Sequence, residues 1–477
     1  MSTTVTAPSV KLGQLTALIV VGGFMAGLDT SLVNVGLTSI ANDHHAALNN
    51  AQWVTSGYLL ALAAALPACP WLQRRYGASR LWLASLIAFT AASLLCAVAP
   101  NLLVLAAARV VQGAAGGLLL PTGQRIVASA IGLDRMGRVL SLAARAIVLA
   151  PAIGPAVGGM VVDTMSWRWL FAVNLPIGIV AAMFAVRILP KDDPDAAAKL
   201  DVIGLVLLST GLPALSFGLM QLGSLESQDE FGVILTVLGA LLLCAFVADA
   251  CRPRRSSKRA TLLDVNLFRR PSYAAAQVTV FFSGISMFGG LILLPMYYES
   301  LRGLSVFDTG FLLLAYGVGA MAAMPIGGRL ADGIGGGLTC MIGLTITIVT
   351  TAPFIFLPTN ENLVTVEILQ ALRGIGVGMT GIPAMTSTFR AAASHLTDAT
   401  TTANILQRVG GSLGSAIIAI VISGAPRQLA AYQTAHAILV ATAAIALAAA
   451  IALAVFERRK ADRAITTVCN NREGLKA

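Results

Sequence analysis

Long apolar stretches recur along the chain, and short polar segments separate them. A transmembrane helix needs about 20 mostly apolar residues, whereas a membrane β-strand shows about ten residues of alternating polarity. The stretches are continuous and of helical length, so the pattern predicts an all-α polytopic membrane protein. We expect fourteen spans, near residues 14–38, 52–72, 80–99, 101–124, 139–162, 168–188, 202–222, 232–250, 273–297, 307–328, 337–357, 363–388, 399–424 and 435–456.

The composition agrees with this pattern and argues against a soluble enzyme. Of the 477 residues, 57% are hydrophobic and 11% are charged, whereas a soluble protein carries about 25% charged residues. The sequence contains no GxxxxGK[ST] or HExxH motif, and its six cysteines include no CxxC pair. An ATP site and a metal centre are therefore not expected. We predict that the chain is not an enzyme and needs no cofactor.

The positive charges are distributed unevenly between the two sides of the predicted membrane. With the N-terminus in the cytosol, most loop arginines and lysines are cytosolic, and only Arg168, Arg302 and Arg427 lie outside. Short cytosolic loops are enriched in these residues, so both termini are expected in the cytosol. The net charge of +10 is then explained by orientation in the membrane, and no nucleic-acid partner is expected.

One acidic residue lies deep in the first predicted span. Asp29 is the only charge between residues 15 and 40, and a charged group at mid-membrane costs at least about 2.5–3.5 kcal/mol, which marks it as a functional candidate. Arg109 enters the fourth span to a similar depth. The two charges can offset each other's desolvation, and protonation of Asp29 would break the pair, which is a physical basis for proton coupling. A structural aspartate that only bonds to neighbouring helices is the alternative.

A second polar set lies in the twelfth predicted span. Glu367, Gln370 and Arg373 follow one another at i, i+3 and i+6 on one helical face. They are candidates for lining the second half of a cavity, with a purely structural polar seam as the alternative. Tyr58 is a further candidate because its ring could contact a flat cationic substrate, although anchoring at the membrane interface is the default interpretation of an aromatic residue at a span end or face.

The fifth predicted span contains a run of small residues and prolines. Gly154, Pro155, Gly158 and Gly159 combine lost backbone donors with room for a close helix neighbour. The run predicts a hinge or a packing seam. A kinked helix without a role in coupling is the alternative.

Two predicted cytosolic loops resemble each other and indicate an internal repeat. One loop contains Arg74, Arg75 and Gly77, the other contains Asp332 and Gly335, and the matching positions lie 258 residues apart. Equal orientation predicts parallel repeats related by an axis along the membrane normal. We therefore expect a six-helix bundle over 1–190, two additional helices and a basic linker over 191–260, a second six-helix bundle over 261–457, and a cytosolic tail over 458–477.

Four stretches together resemble the fourteen-helix drug:proton antiporter branch of the major facilitator superfamily. Leu28–Leu37 is similar to that branch's first-helix motif, and Arg109–Gly113 to the fourth-helix motif associated with proton transfer. Gly154–Gly159 resembles the antiporter motif of helix five, and Trp167–Pro176 resembles a signature at the start of helix six. The resemblance covers nearly the whole chain and implies two six-helix bundles, with two extra helices, that rock around a midplane cavity.

The chain departs from the branch at several positions. Thr38 stands where the first motif usually has proline, and Ser141 and Ala150 replace two glycines upstream in helix five. Arg74 occupies the usual aspartate position of the first cytosolic loop, whereas Asp332 keeps it in the second. The charge contact that steadies the cytosolic gate is therefore expected on one side only.

The resemblance implies a bacterial inner-membrane exporter that exchanges inward protons for outward small amphipathic compounds. Asp29 would carry the proton, Arg109 would bias its ionisation, and Asn34 and Gln112 would line the path. Asp29 and Glu367 are the only deep acids found, which favours neutral or monocationic substrates. The proton gradient would supply the energy.

Two alternatives and one further partner remain open from the sequence. A proton-coupled metabolite exporter or importer with narrow specificity would use the same fold. A membrane scaffold or sensor without transport belongs to another class, but it would gain nothing from such costly buried charges. Some relatives of the branch work with a periplasmic adaptor and an outer-membrane duct, so that partner is possible beside substrate, protons and the lipid bilayer.

Overall fold

The computed structural model describes residues 12–132, 135–222, 230–251, 262–358, 361–423 and 428–474. Within these ranges all regular structure is helical, and no strand is present. Thirteen of the described helices are long and apolar enough to cross a membrane. A further long helix coincides with the fifth predicted span, so the all-α polytopic fold expected from the sequence is confirmed.

The long helices are numbered here in chain order, and each overlaps one predicted span. They are α1 Leu12–Asp43, α2 Trp53–Tyr76, α3 Ala78–Ala97, α4 Leu102–Ile131, α5 Met136–Thr164, α6 Trp169–Ile188, α7 Val202–Leu222, α8 Glu230–Cys251, α9 Pro271–Leu301, α10 Val306–Ile334, α11 Gly336–Ile355, α12 Leu363–Ala391, α13 Leu396–Ser423 and α14 Leu429–Gly474.

The first compact unit extends to Leu205 and also includes Leu262. Helix α1 packs along α5, and α4 lies between α2 and α3. Helix α6 contacts both α1 and α3, which brings it close to the polar face of α1. The apolar core of this unit contains Leu32, Val54 and Phe171.

The second compact unit begins at Val206 and includes the two helices α7 and α8. These two helices approach closely, since a Cβ atom added at Gly239 would strike the backbone of Leu215. Helix α9 packs on α13 and α14, while α12 packs on α10 and α11. The core of this unit is rich in aromatic side chains, among them Tyr297, Phe354 and Tyr432.

The same helix pairs recur in the two units. Five packed helix pairs of the first unit have counterparts in the second. In the first unit they are α1–α5, α2–α4, α3–α4, α3–α6 and α1–α6, and in the second they are, in the same order, α9–α13, α10–α12, α11–α12, α11–α14 and α9–α14. The two loops that suggested a repeat also share a backbone conformation, because Gly77 has φ +90° and Gly335 has φ +97°. Only glycine adopts such values without strain.

Candidate functional site

Helix α1 carries Asp29 into the interior of the first unit. The carboxylate is fully buried, and its Oδ2 atom accepts a hydrogen bond from Nη1 of the equally buried Arg109 on α4. The structure therefore brings together the two charges for which the sequence predicted a common depth. Each is shielded from solvent, so the pair is strongly coupled.

Two side-chain amides complete the surroundings of the carboxylate. Gln112 Nε2 and Asn174 Nδ2 both donate to Asp29 Oδ1, at 3.0 Å and 3.1 Å. Gln112 lies one turn after Arg109 on α4, and Asn174 lies on α6. Three donors from two helices thus converge on Asp29, and hydrogen bonds to a charged acceptor are the stronger kind.

Arg109 has neutral partners in addition to the carboxylate. Its Nε donates to the Val54 carbonyl at 2.9 Å, and its Nη1 also donates to Gln112 Oε1 at 2.7 Å. The guanidinium lies 4.1 Å from the centroid of the Tyr58 ring, within cation–π range. Tyr58, a predicted substrate contact, thus packs on Arg109 and donates to the Ala26 carbonyl at 3.3 Å.

Helix α3 fixes the orientation of the Gln112 amide. Gln112 Nε2 donates to Ser93 Oγ at 2.7 Å, and Cys96 Sγ donates to Gln112 Oε1 at 3.7 Å. The amide oxygen is thereby held toward Arg109 and the amide nitrogen toward Asp29. A wrongly turned amide would place like dipoles together, so this arrangement stabilises the ionised pair.

The polar set of α12 does not form one connected group. Glu367 Oε1 accepts from Tyr298 O–H at 2.5 Å, and its side chain is half-buried. Gln370 and Arg373 are buried farther along the helix. Arg373 Nη2 donates to the Ser286 carbonyl at 3.3 Å, so Glu367 and Arg373 have different partners despite their common face.

The remaining predicted residues of α1 and α5 lie apart from the carboxylate. Asn34 is exposed on α1. Cβ atoms added at Gly154 and Gly158 would meet α1, whereas one added at Gly159 would meet no described atom within 4 Å. The first two glycines therefore belong to a close seam with α1. The side chain of Pro155 lies outside the described residues.

A carboxylate from beyond α6 caps the loop that ends α2. Asp192 accepts hydrogen bonds from the backbone N–H groups of Ser79 and Arg80, at 2.9 Å and 2.8 Å. Gly77 provides the room, because any Cβ atom there would collide with Asp192. The first loop has Arg74 at the position where an aspartate is usual, but Asp192 supplies a carboxylate to the N-terminus of α3.

Arg74 and Arg75 lie at the end of α2, and both are half-buried. The Arg74 carbonyl accepts from the N–H of Asp195 at 2.8 Å, and Arg74 Nη2 donates to the Leu262 carbonyl at 3.4 Å. The first bond fastens the segment after α6 to the end of α2, and the second fastens the segment before α9 to it.

The matching loop of the second unit has a similar arrangement. Asp332 forms an ion pair with Arg390 at 3.3 Å. Glu457 Oε2 accepts from the N–H of Gly337 at 2.9 Å, next to the positive-φ Gly335. A carboxylate thus stabilises the N-terminus of α11 as Asp192 does that of α3. The ion pair of Asp332 with Arg390 is a separate interaction, and the expectation of a charge contact on one side only stays a prediction.

Several residues of these sites escaped the sequence reasoning. Asn174 belongs to a stretch that was noted as a signature, but its contact with Asp29 depends on the packing of α6 against α1. Asp192 and Glu457 lie in polar segments, where one acid among several carries no distinguishing signal. Among the described residues, no group of three histidine, cysteine or acidic side chains could hold a metal.

Comparison with known proteins identifies the family to which this architecture belongs. The profile of the Major Facilitator Superfamily matches residues 19–415. The chain is 33% identical to the multidrug resistance protein B homolog of Mycobacterium tuberculosis, over 91% of this chain and 79% of that protein. It is 30% identical to the methylenomycin A resistance protein of Bacillus subtilis, over 85% and 86%.

A solved structure shows the same fold at low sequence identity. The proton:xylose symporter XylE, a major facilitator protein, superposes with a TM-score of 0.60 at 12% identity, over 91% of this chain and 95% of that one. This likeness concerns the fold alone. The chain belongs to the major facilitator superfamily, and it is a multi-pass membrane transporter of small molecules, not an enzyme.

Proposed function

We propose that the protein exports small amphipathic compounds, including drugs, from the cytosol in exchange for protons. The buried pair of Asp29 and Arg109 carries this proposal. A carboxylate inside the membrane is costly and marks a proton or ion pathway. Resistance proteins among the relatives favour drugs as substrates.

The surroundings of Asp29 can accommodate its neutral form. If Asp29 takes a proton, Arg109 keeps Gln112 Oε1, the Val54 carbonyl and the Tyr58 ring as partners. Asn174 Oδ1 has no partner in the described part of the chain. A turn of the Asn174 amide therefore gives a protonated carboxyl an acceptor, and the ionised form keeps its donor.

A change of protonation then becomes a change of helix contacts. Removing one partner of a buried ion pair costs about 3–5 kcal/mol, and neutralising Asp29 weakens the link between α1 and α4. Proton uptake from outside and release to the cytosol would bias the two arrangements of an alternating-access cycle. The bundles would expose the substrate to one side at a time.

The proton gradient is sufficient as the energy source. One proton moving through 100 mV releases about 2.3 kcal/mol, and each tenfold gradient of a neutral solute costs about 1.4 kcal/mol. One proton per cycle therefore sustains more than a tenfold gradient. No phosphate-binding motif occurs in the sequence, and no cofactor is needed for this cycle.

The distribution of basic residues supports a location in the bacterial inner membrane with both termini in the cytosol. This orientation gives export the required direction, with protons entering as substrate leaves. A periplasmic adaptor and an outer-membrane duct remain an expectation from the resemblance, and deleting a candidate adaptor while measuring export would test it.

Uptake of ethidium into inverted membrane vesicles tests the proposal. We expect wild-type vesicles to take up the dye when a proton gradient is imposed and Asp29→Asn vesicles to fail. Asp163→Asn removes the same charge from an exposed position and should keep the activity. Vesicles without the protein give the baseline.

Each result has a separate meaning. Wild-type uptake no better than the baseline would contradict drug export and favour a narrow metabolite transporter. Full activity in Asp29→Asn would remove Asp29 from the coupling step and direct attention to Glu367. Loss of activity in Asp163→Asn as well would show that the assay reports folding or insertion.

A further inference from the structure

A second buried arginine lies in the second unit and has no counter-charge among the residues that the structure describes. Arg373 on α12 is 1% exposed. Its Nη2 donates to the Ser286 carbonyl, while Nε and Nη1 have no acceptor among the described residues. A guanidinium stays protonated in proteins. A buried charge without a counter-charge is strongly destabilising, so we expect Arg373 to have a functional role that offsets this cost.

The internal repeat shows which residues of the first unit correspond to this region. Gly113 on α4 packs against the Tyr58 carbonyl, and Gly374 on α12 packs against the Tyr316 carbonyl. The next turn repeats the contact, with the pairs Gly117–Leu62 and Gly378–Ala320. Both steps give an offset of 261 residues between α4 and α12, and of 258 between α2 and α10.

This register exchanges the arginine and the glutamine between the two units. Arg109 corresponds to Gln370, and Gln112 corresponds to Arg373. Each arginine lies near the matching tyrosine ring, at 4.1 Å from Tyr58 and 5.9 Å from Tyr316. The second unit thus repeats the cation and the aromatic ring, but no carboxylate of the described segments pairs with its arginine as Asp29 pairs with Arg109.

The space beside Arg373 is kept free of other side chains by a glycine. A Cβ atom added at Gly290 on α9 would collide with the guanidinium, 2.8 Å from its Cζ atom. Helix α9 therefore presents backbone to Arg373, whereas α1 presents an acid to Arg109. The cation is accommodated but not neutralised by the described part of the protein.

Residues next to the cation carry hydrogen-bonding groups without described partners: the Ser286 carbonyl accepts from Arg373, the Tyr316 ring lies 5.9 Å away, and Gln370 precedes Arg373 by one turn. In the described part of the chain, Ser286 Oγ, Tyr316 O–H and both amide atoms of Gln370 lack partners. All three side chains are more than nine-tenths buried. Two hydroxyl groups, an amide N–H₂ and a guanidinium can donate together, and such a set matches the oxygens of an anion.

We propose that Arg373, with Ser286, Tyr316 and Gln370, binds the carboxylate of a small amphipathic organic acid. A carboxylate fits the planar guanidinium through two parallel hydrogen bonds. The aromatic and aliphatic core of this unit, which includes Tyr297, suits an apolar body attached to the acid. The proposal rests on the proposed function and changes its expected substrate class, because the deep acids alone favour neutral or monocationic compounds.

The bound acid would complete the second unit as Asp29 completes the first. Arg373 is closed off from solvent, so the acid binds together with a movement of the surrounding helices. The substrate then supplies the counter-charge that Arg373 lacks in the described part of the chain. Binding is expected to stabilise the unit, because a ligand that binds only the folded state raises stability by mass action.

Three probes with one ring system test the site on the purified full-length protein in detergent. The probes are 1-naphthoate, 1-naphthylmethanol and 1-naphthylmethylammonium, and titration calorimetry measures their affinities. We expect wild type to bind the acid at least about tenfold more tightly than the alcohol, as one charge-assisted pair predicts. The ammonium compound should bind no better than the alcohol.

Variants locate the preference. Arg373→Gln should abolish it, and Arg373→Lys should reduce it, because lysine keeps the charge but loses the planar fork. Arg187→Gln removes the same charge from an exposed position on α6 and should keep the full preference. Equal affinity of wild type for acid and alcohol, or an unchanged preference in Arg373→Gln, would overturn the proposal.

A variant of nearly unchanged shape guards against misfolding. Gln370→Glu places a carboxylate one turn from Arg373 and should abolish the acid preference while keeping the melting temperature at least at the wild-type value. Wild-type acid binding in a folded Gln370→Glu protein would also overturn the site. A preference for the acid without proton-driven ethidium uptake would support this site and contradict the proposed export. Ethidium uptake without a preference for the acid would support the proposed export and overturn this site.

Discussion

Gly113 lies where α4 touches α2, and its replacement by alanine tests how the ion pair is held. A Cβ atom added there would meet the Tyr58 carbonyl oxygen at less than 2.5 Å, whereas ordinary contacts begin at 3.4 Å. The obstacle is helix backbone, which cannot rotate away. Gly113→Ala must therefore move the two helices apart by about 1 Å.

This displacement acts on Arg109, one turn away along the same seam. Its Nε donates to the Val54 carbonyl of α2 at 2.9 Å, so a shift of about 1 Å takes the bond beyond its usual length. A lost hydrogen bond to a charged group costs about 1.5–3 kcal/mol, and overpacking costs about 1–3 kcal/mol. The free energy of unfolding should fall by about 2.5–6 kcal/mol in total.

Thermal melting of the purified protein and ethidium uptake by vesicles measure the effect. Gly159→Ala is the matched control, because its added methyl group meets no described atom within 4 Å and alanine favours a helix by up to about 1 kcal/mol. We expect the control to melt no lower than wild type. If Gly113→Ala melts and transports like wild type, the α2–α4 contact does not hold Arg109 in place.

Three further changes test other contacts. Asn174→Leu should destabilise the protein by about 1.5–3 kcal/mol in thermal melting. In an Asp29→Asn background the same change should cost less than half as much, because the contact between the two residues is already altered there. Full additivity of the two changes would contradict a direct interaction. Asp192→Ala should cost about 1 kcal/mol through the lost cap of α3, whereas the exposed neighbour change Asp193→Ala should be neutral, and equal melting of the two would refute the cap. Glu367→Gln should lower vesicle uptake of the dication propidium about tenfold more than uptake of ethidium if Glu367 supplies a second proton, and equal losses would exclude that role.

The fold was predictable because apolar length alone specifies a transmembrane helix. Every long helix from α1 to α14 overlaps a predicted span, including α5. The helix ends were less predictable, as α14 shows by continuing to Gly474, well past its predicted end at residue 456. Outside the apolar layer a helix needs only helix-forming residues, and Glu457, Arg458 and Arg459 provide them.

The charged pair was predictable from depth, but its amides were not. Asp29 and Arg109 each stand alone as charges in apolar runs and lie at a similar depth, so pairing lowers the cost of burying both. The sequence does not show that α1 and α4 are neighbours. Asn174 is neutral and lies 145 residues from Asp29, so only the packing of α6 reveals their contact. For the same reason the common helical face of Glu367 and Arg373 did not predict a contact between them, since Glu367 accepts a hydrogen bond from Tyr298 of α9.

The two arginines indicate how one repeated architecture can serve two ligands. In the first unit the chain supplies a carboxylate, Asp29, which pairs with Arg109, and the proposed ligand of that pair is a proton. In the second unit the chain supplies the cation, Arg373, and no described acid, so neutralisation requires a solute. If both proposals hold, the proton site and the solute site differ by the exchange of arginine and glutamine over one helical turn, with Asp29 beside one arginine and Gly290 beside the other. The transported acid and the coupling proton would then never compete for the same arginine.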